Sequence, residues 1–475
     1  MPVRLLLLLG ALCCAAPLAS AQVSLPPSVE RELAAFKLPS SSAAAVVQEV
    51  GAPRPLLDVN PTLPMNPASV MKLVTTYAAL ELLGPAYRWK TDAYAAGPLQ
   101  DGILQGDLVL RGSGDPKLDL EGFGRLVRAL RGKGLREIRG DLILDRSRFA
   151  PANGDAARFD GDPFRPYNVL PDALLVNYRS LRFVFVAEPE RGAVRLYVEP
   201  RPPSLDVVNA LRLAPGPCVE GSAFRELLKA TYEPARQRAL FAGSFPASCG
   251  EKDLNVALLE PNDHVAGVMR QLWSESGGLW AGAARAGAVP PGARLLHSLD
   301  SSPLAEIVRD TNKFSNNIMA RHLYLTLGAE SAGAPADAPK ALAAVKAWLT
   351  AKKIAAPELA IENGSGLSRI ARISAGTLAA LLQAAWRSAV MPEFIASLPV
   401  AAVDGTMRRR LAGSVVAGQA HIKTGLLQDV RAMGGYVLAR NGRRYVVVMI
   451  VNHPRAHETQ PAMDALLRWV YDSGR

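Results

Sequence analysis

Ser69 and Lys72 stand three residues apart, the spacing at which one turn of helix brings a hydroxyl and an amine to the same face. A serine is a weak nucleophile until a neighbour takes its proton. A lysine can take it when burial and adjacent positive charge keep a useful fraction of it neutral. A helix start also offers backbone N–H groups and a positive dipole to developing negative charge. Alone, the pair is weak, because Ser-x-x-Lys occurs by chance in many chains and an ordinary first-turn hydroxyl is its bland alternative.

Two later motifs change that weight. Ser315-Asn316-Asn317 and Lys423-Thr424-Gly425 follow Ser69-Val70-Met71-Lys72 in a fixed order, each occurring once. Lys423 supplies a positive charge that favours neutral Lys72. Ser315 can relay a proton between Lys72 and a leaving amine, and Asn317 can bond a substrate amide and hold Lys72. A strand carrying Lys423, Thr424, Gly425 and Leu426 can pair with an acyl peptide, its cation and hydroxyl facing a terminal carboxylate. The backbone N–H groups of Ser69 and Leu426 would form the oxyanion hole.

The elements that must position these groups are legible in the periodicity. From Pro67 to Leu83 the pattern is helical, with Leu73, Val74, Tyr77, Leu80 and Leu83 at three- and four-residue spacing before Gly84-Pro85. Residues 92 to about 290 are richer in β-patterned runs, among them 106–110, 140–144, 181–188 and 194–198, with an amphipathic helix around Leu120 to Leu130. The two Gly-Asp-Leu-hydrophobic-Leu runs are similar enough to suggest equivalent hairpin starts. Helical texture returns from Pro303 to Leu327, interrupted at Lys313-Phe314-Ser315, and again at 341–349 and 374–386. The chain closes with a strand at 421–424, two apolar runs turned by Asn441-Gly442, and a helix from Pro461 to Tyr471. The expectation is an α/β fold, an antiparallel sheet flanked by helices with the middle of the chain looping out.

At the three motifs the sequence resembles the serine penicillin-recognising enzymes. The long gap between residues 69 and 315 is similar to that of the class C low-molecular-mass penicillin-binding proteins, the penicillin-binding protein 4 type, which carry a large two-part α+β/β insert there. Residues 106–116 (GDLVLRGSGDP), 362–369 (ENGSGLSR), Asp404-Gly405-Thr406, Pro217-Cys218 and Cys249-Gly250-Glu251 look like signatures of that family. The likeness spans roughly residues 40 to 455. It implies a discontinuous catalytic domain (22–91 and 290–475) and an insert of two small domains (92–289). It also implies removal of the terminal D-Ala from peptidoglycan stem pentapeptides, cleavage of D-Ala-to-diaminoacid crosslinks, an acyl-Ser69 intermediate and inhibition by β-lactams. No metal or organic cofactor is implied. Leu426 departs from the pattern, since relatives commonly carry a hydroxyl residue there, and Asn316 replaces the commoner Asp. Phe159 to Asp172 is read as a wall contacting the diaminoacid.

Composition sets the outer limits. The chain has 475 residues, enough for two or three units, and is 49% hydrophobic and 20% charged, a globular balance. Arg4, an apolar stretch from Leu5 to Ala16 and Ala19-Ser20-Ala21 predict a signal peptide over residues 1–21, a periplasmic destination and a mature start near Gln22. Two of the four cysteines then remain, Cys218 and Cys249. In an exported chain such a pair reads as a disulfide, with two buried thiols as the alternative. The net charge of +11 favours anionic neighbours such as wall polymers or lipid head groups. Nucleic acid is not expected, because the basic residues are dispersed and no binding motif occurs.

Glu251-Lys252-Asp253-Leu254-Asn255 resembles the deacylating segment of class A β-lactamases but precedes Ser315 instead of following it. A Ser-His-Asp hydrolase would need a Gly-x-Ser-x-Gly elbow, which is absent, and His421 reads as packing or solvent-facing. A wall-associated scaffold that keeps the fold and barely turns over, and a β-lactamase or esterase, are the alternatives that turnover separates.

Overall fold

The computed structural model describes residues 24–152 and 154–473; the segment expected to be a signal peptide lies outside them. A five-stranded antiparallel sheet runs in the order Leu57–Val59, Ala43–Glu49, Arg444–Asn452, Val430–Leu438, Ala420–Leu427. Its central strand, RYVVVMIVN, is almost continuously apolar because helices cover both faces of the sheet. Val446, Val448 and Ile450 join one core with the helices Lys72–Leu83, Leu304–Lys313, Asn317–Ala332 and Ala375–Trp386. Val447, Met449 and Val451 join the other with Pro27–Ala35 and Gln460–Asp472. Asn441-Gly442 turns the last hairpin as expected, with Gly442 at φ 81° and the Asn441 side chain accepting from Arg443 N–H at 2.9 Å.

Helix Lys72–Leu83 is buried on nearly every side, a central rod and not an amphipathic surface helix. The expected helix from Pro67 starts differently. Ala68–Met71 form a 3-10 turn that runs into it, and in such a turn side chains three apart eclipse. Ser69 and Lys72 are thereby brought directly into line, one above the other.

The middle of the chain leaves this body at Trp89 and returns at Ser301, where the two crossings pair: Trp89 N–H donates to Ser301 Oγ at 3.0 Å, and Ser301 N–H to Trp89 O at 2.9 Å. Strand Lys90–Ala96 opens the insert and Arg294–Asp300 closes it, their ends in register as Lys90 opposite Asp300. This antiparallel pair belongs to the insert's own sheet, so the sheet begins two residues before the expected 92 and ends eleven beyond the expected 289.

The two Gly-Asp-Leu runs are not hairpin starts. Asp107–Gly112 and Leu142–Asp145 are parallel neighbours, joined across helix Leu120–Gly132. Parallel partners cannot be joined by a tight turn, so this is a β-α-β crossover. Its core contains Leu108, Leu126, Leu130 and Leu142, with Val268 and Trp273 from helix Pro261–Glu275.

A second core, rich in aromatic rings, lies in the β-rich part between Leu181 and Val256, where Phe183, Phe185, Phe241 and Phe245 are fully buried together. Cys218 and Cys249 are disulfide-bonded there, 31 residues apart. Replacing both with Ala is expected to cost about 3 kcal/mol, from the loop entropy returned to the unfolded chain. Hydrogen exchange of residues 181–256 should register the loss, while strand Arg444–Asn452 keeps its protection. Among the described residues no helix is long and apolar enough to cross a membrane.

Candidate active site

Ser69 is presented by a turn that is locked from several sides. Ala68 takes φ 46°, a left-handed conformation rare for a residue with a side chain, and its N–H donates to Asn66 Oδ1 at 2.9 Å. Asn66 is held in turn: its N–H donates to Asn452 Oδ1 at 2.8 Å, its side-chain amide to Ser368 O at 2.8 Å, and its carbonyl accepts from Asn452 Nδ2 at 3.0 Å. The sheet end and the 362–369 loop therefore both fix the position of the Ser69 turn.

Two glycines allow this approach. A Cβ on Gly425 would meet Pro67 O at 2.6 Å and Ser69 N at 3.2 Å, so the Lys423 strand can press against the turn only without one. Gly366, at φ 78°, lies so close to the Ala68 carbonyl that a methyl would overlap it. Gly366→Ala is expected to shift the Ser69 turn and slow penicillin acylation by about 10²-fold, the scale of a small misplacement of a reacting group. Gly413→Ala, at φ 74° with open space around it, carries a similar backbone cost and should leave the acylation rate unchanged.

The five candidate catalytic side chains converge. Lys72 is fully buried, with its Nζ 2.9 Å from Ser69 Oγ; it donates to Asn317 Oδ1 and to Ser365 O, each at 2.7 Å. Lys423, also fully buried, donates to Ser315 Oγ at 2.9 Å and to Thr424 O at 2.8 Å. Ser315 is thus bonded to Lys423, whereas a contact with Lys72 was the expectation. It sits at φ 55° in the break between helices Leu304–Lys313 and Asn317–Ala332. Asn316 caps the second helix by accepting from Met319 N–H at 3.0 Å, which aims Asn317 at Lys72.

Burial dominates the electrostatics. The Lys72 ammonium is held well below its ordinary range by desolvation first, then by the charges of Lys423 and Arg321. Desolvation lowers Lys423 to about 7. Three oxygens surround Lys72 Nζ, those of Ser69 Oγ, Asn317 Oδ1 and Ser365 O; a neutral amine that keeps its two N–H groups on the carbonyls would turn its lone pair to the Ser69 hydroxyl.

Thr424 Oγ1 is 2.8 Å from Thr406 Oγ1. Leu426, 56% exposed, and Phe314, 69% exposed, both border the cavity that opens over Ser69. That cavity has a volume of about 1180 Å³ and is walled on the insert side by Phe159, Asp160, Pro166, Tyr167 and Tyr178. Part of the expected 159–172 wall therefore faces it. Strand Glu251–Val256, the β-lactamase decoy, belongs to the insert and reaches the cavity only through Asn255.

Ser365, Arg321 and Thr406 had no assigned role from sequence. Ser365 acts through a backbone carbonyl, which leaves no side-chain signal. Arg321 stands four residues after Asn317 on one helix face, a spacing that could have flagged it.

A helix start, a loop and a strand meeting around one acylatable serine define the penicillin-recognising serine hydrolase fold. Residues 25–471 match the D-Ala-D-Ala carboxypeptidase 3 (S13) family. Over 410 residues the chain is 30% identical to the D-alanyl-D-alanine carboxypeptidase of Actinomadura sp. (strain R39), covering 82% of this chain and 73% of that one. It is 23% identical over 419 residues to D-alanyl-D-alanine carboxypeptidase DacB of Haemophilus influenzae, covering 88% and 86%. The crystal structure of penicillin binding protein 4 from H. influenzae is similar at a TM-score of 0.76 and 22% identity, over 93% of this chain and 99% of that one. The chain belongs to the D-Ala-D-Ala carboxypeptidase 3 (S13) family, as a serine DD-peptidase of the class C, penicillin-binding protein 4 type.

Proposed function

We propose that Ser69 is the acylated nucleophile and Lys72 its base, in an enzyme that removes terminal D-Ala from peptidoglycan stem peptides and opens D-Ala-to-diaminoacid crosslinks. The observation that carries this reading is the Lys72 Nζ, fully buried, 2.9 Å from Ser69 Oγ and held on its other sides by Asn317 Oδ1 and Ser365 O.

Ser69 Oγ attacks the penultimate D-Ala carbonyl as its proton passes to Lys72, and the N–H groups of Ser69 and Leu426 take the oxyanion. The C–N bond then breaks. Ser315 gives its hydroxyl proton to the leaving amine and recovers one from Lys72. Asn317 holds Lys72 and bonds the substrate amide, while Lys423 and Thr424 face the terminal carboxylate. Water then attacks the acyl-serine ester and regenerates the hydroxyl. Gly425 lets the Lys423 strand lie close to the Ser69 turn.

A β-lactam presents the same carbonyl and carboxylate, so it acylates Ser69 and inhibits; penicillin binding protein 4 of H. influenzae has been solved with a β-lactam. Crosslink cleavage uses the same acyl-enzyme with a larger amine leaving, for which the open cavity has room. The signal-like N-terminus supports export to the periplasm, and the +11 charge supports contact with anionic wall polymers or membrane surfaces.

The test is digestion of purified sacculi and of a synthetic pentapeptide. Steady release of D-Ala and appearance of uncrosslinked muropeptides are expected. Stable acylation with no release of either product would replace this reading with that of a scaffold.

A further inference from the structure

The catalytic lysines are not the only buried cations at this site. Arg321 is 8% exposed, one helical turn beyond Asn317, whose side chain holds Lys72. Its guanidinium donates to Val169 O at 2.7 Å, a backbone carbonyl of the insert. The next residue, His322, is also fully buried and also clasped by the insert: its Nδ1 is 3.1 Å from Gly114 O, and Asp172 N–H donates to Nε2 at 3.4 Å. The insert therefore grips the second turn of the helix whose first turn presents Asn317.

The hydrogen bonds of the three basic groups Lys72, Lys423 and Arg321 go to hydroxyls and carbonyls and to no carboxylate. The groups facing them are few. Glu362, hydrogen-bonded to Ser368 Oγ, acts on Arg321 from the loop that also supplies Ser365. Asp172 acts on His322. Burial holds His322 down at about 4, so it is neutral and adds no charge at ordinary pH. A guanidinium keeps its proton where a second lysine would surrender it, and Arg321, lowered only to about 10, remains charged.

We infer that Arg321 is a positioning residue for acylation: it is a permanent positive charge set behind Lys72 by the insert, and it keeps the base in its proton-accepting form. This rests on the assignment of Lys72 as base. The insert then does more than wall the cavity, because its Val169 carbonyl fixes the charge that readies Lys72. Desolvation of Lys72 and the charge of Lys423 act in the same direction, so Arg321 supplies part of the effect.

The experiment is the pH dependence of the second-order rate of acylation by a labelled penicillin, on the full chain. Arg321→Met should move the rising, acid-side limb up by about one pH unit and lower the rate there about tenfold, leaving the rate at the maximum nearly unchanged. Arg321→Lys, whose buried ammonium gives up its proton more readily than a guanidinium, should restore the profile only in part. Should Arg321→Met fold poorly, Glu362→Gln removes the carboxylate that opposes Arg321 and keeps an acceptor for Ser368, and it should move the limb to lower pH. An unmoved limb in both variants, or a loss equal at every pH, overturns the inference. A wild type that takes up no penicillin would instead sink the assignment of Ser69 and Lys72, so the two failures are distinguishable.

Discussion

Ser69→Ala is expected to form no covalent penicillin adduct and to release D-Ala at least about 10⁴-fold more slowly than wild type. The magnitude follows from what the serine alone supplies. Every other group at the site either activates its hydroxyl or stabilises charge that arises only when Oγ attacks, so without it there is no acyl-enzyme to hydrolyse. The methyl side chain fits the same turn: Ser69 Oγ makes its bond only with Lys72, and the turn is held through Asn66, Gly366 and Gly425. Thermal stability should therefore stay near that of wild type. Intact mass after incubation with a labelled penicillin, with D-Ala release from a pentapeptide, measures both quantities. An undiminished adduct in Ser69→Ala would place the nucleophile elsewhere.

Lys72→Gln should slow acylation by about 10³-fold, the usual worth of a positioned general base. The amide can still donate to Asn317 Oδ1 and Ser365 O, so the loss reports proton transfer more than collapse of the pocket. Wild-type enzyme should show a bell-shaped pH dependence of kcat/KM for the peptide. Activity rises with pH as Lys72, held below the ordinary lysine range by burial and by its cationic neighbours, loses its proton. It falls as Lys423, lowered to about 7, loses the charge that receives the substrate carboxylate. A bound carboxylate stabilises the Lys423 cation, so the falling limb should sit at higher pH in kcat than in kcat/KM. Lys72→Gln should abolish the rising limb and keep the falling one. If the rising limb persists in the variant, a different group is the base.

Sequence signals are most legible where one residue type has one structural use. Asn441-Gly442 made the expected hairpin, and the break at Lys313-Phe314-Ser315 is where Ser315 takes its left-handed conformation. The misreadings come from signals that two structures share. A Gly-Asp-Leu run opens a strand whether its partner is antiparallel or parallel, and only the packing of helix Leu120–Gly132 decides for the crossover. A Pro-led apolar run reads as α-helix throughout, yet its first turn is 3-10, with the Ala68 N–H held by Asn66, which Asn452 and Ser368 pin from hundreds of positions away.

The sequence by itself determined the chemistry: a serine with a lysine three residues on, a second serine with its asparagine, a strand lysine, and a gap long enough for an insert. Those depend on residue type and order, which are local. Only the tertiary structure decided how the base is tuned, because desolvation and like charge depend on what surrounds a group in space. It brought Ser365 O, Asn317 and Lys423 around the Lys72–Ser69 pair, paired Ser315 with Lys423, and buried Arg321 behind them under the Val169 carbonyl.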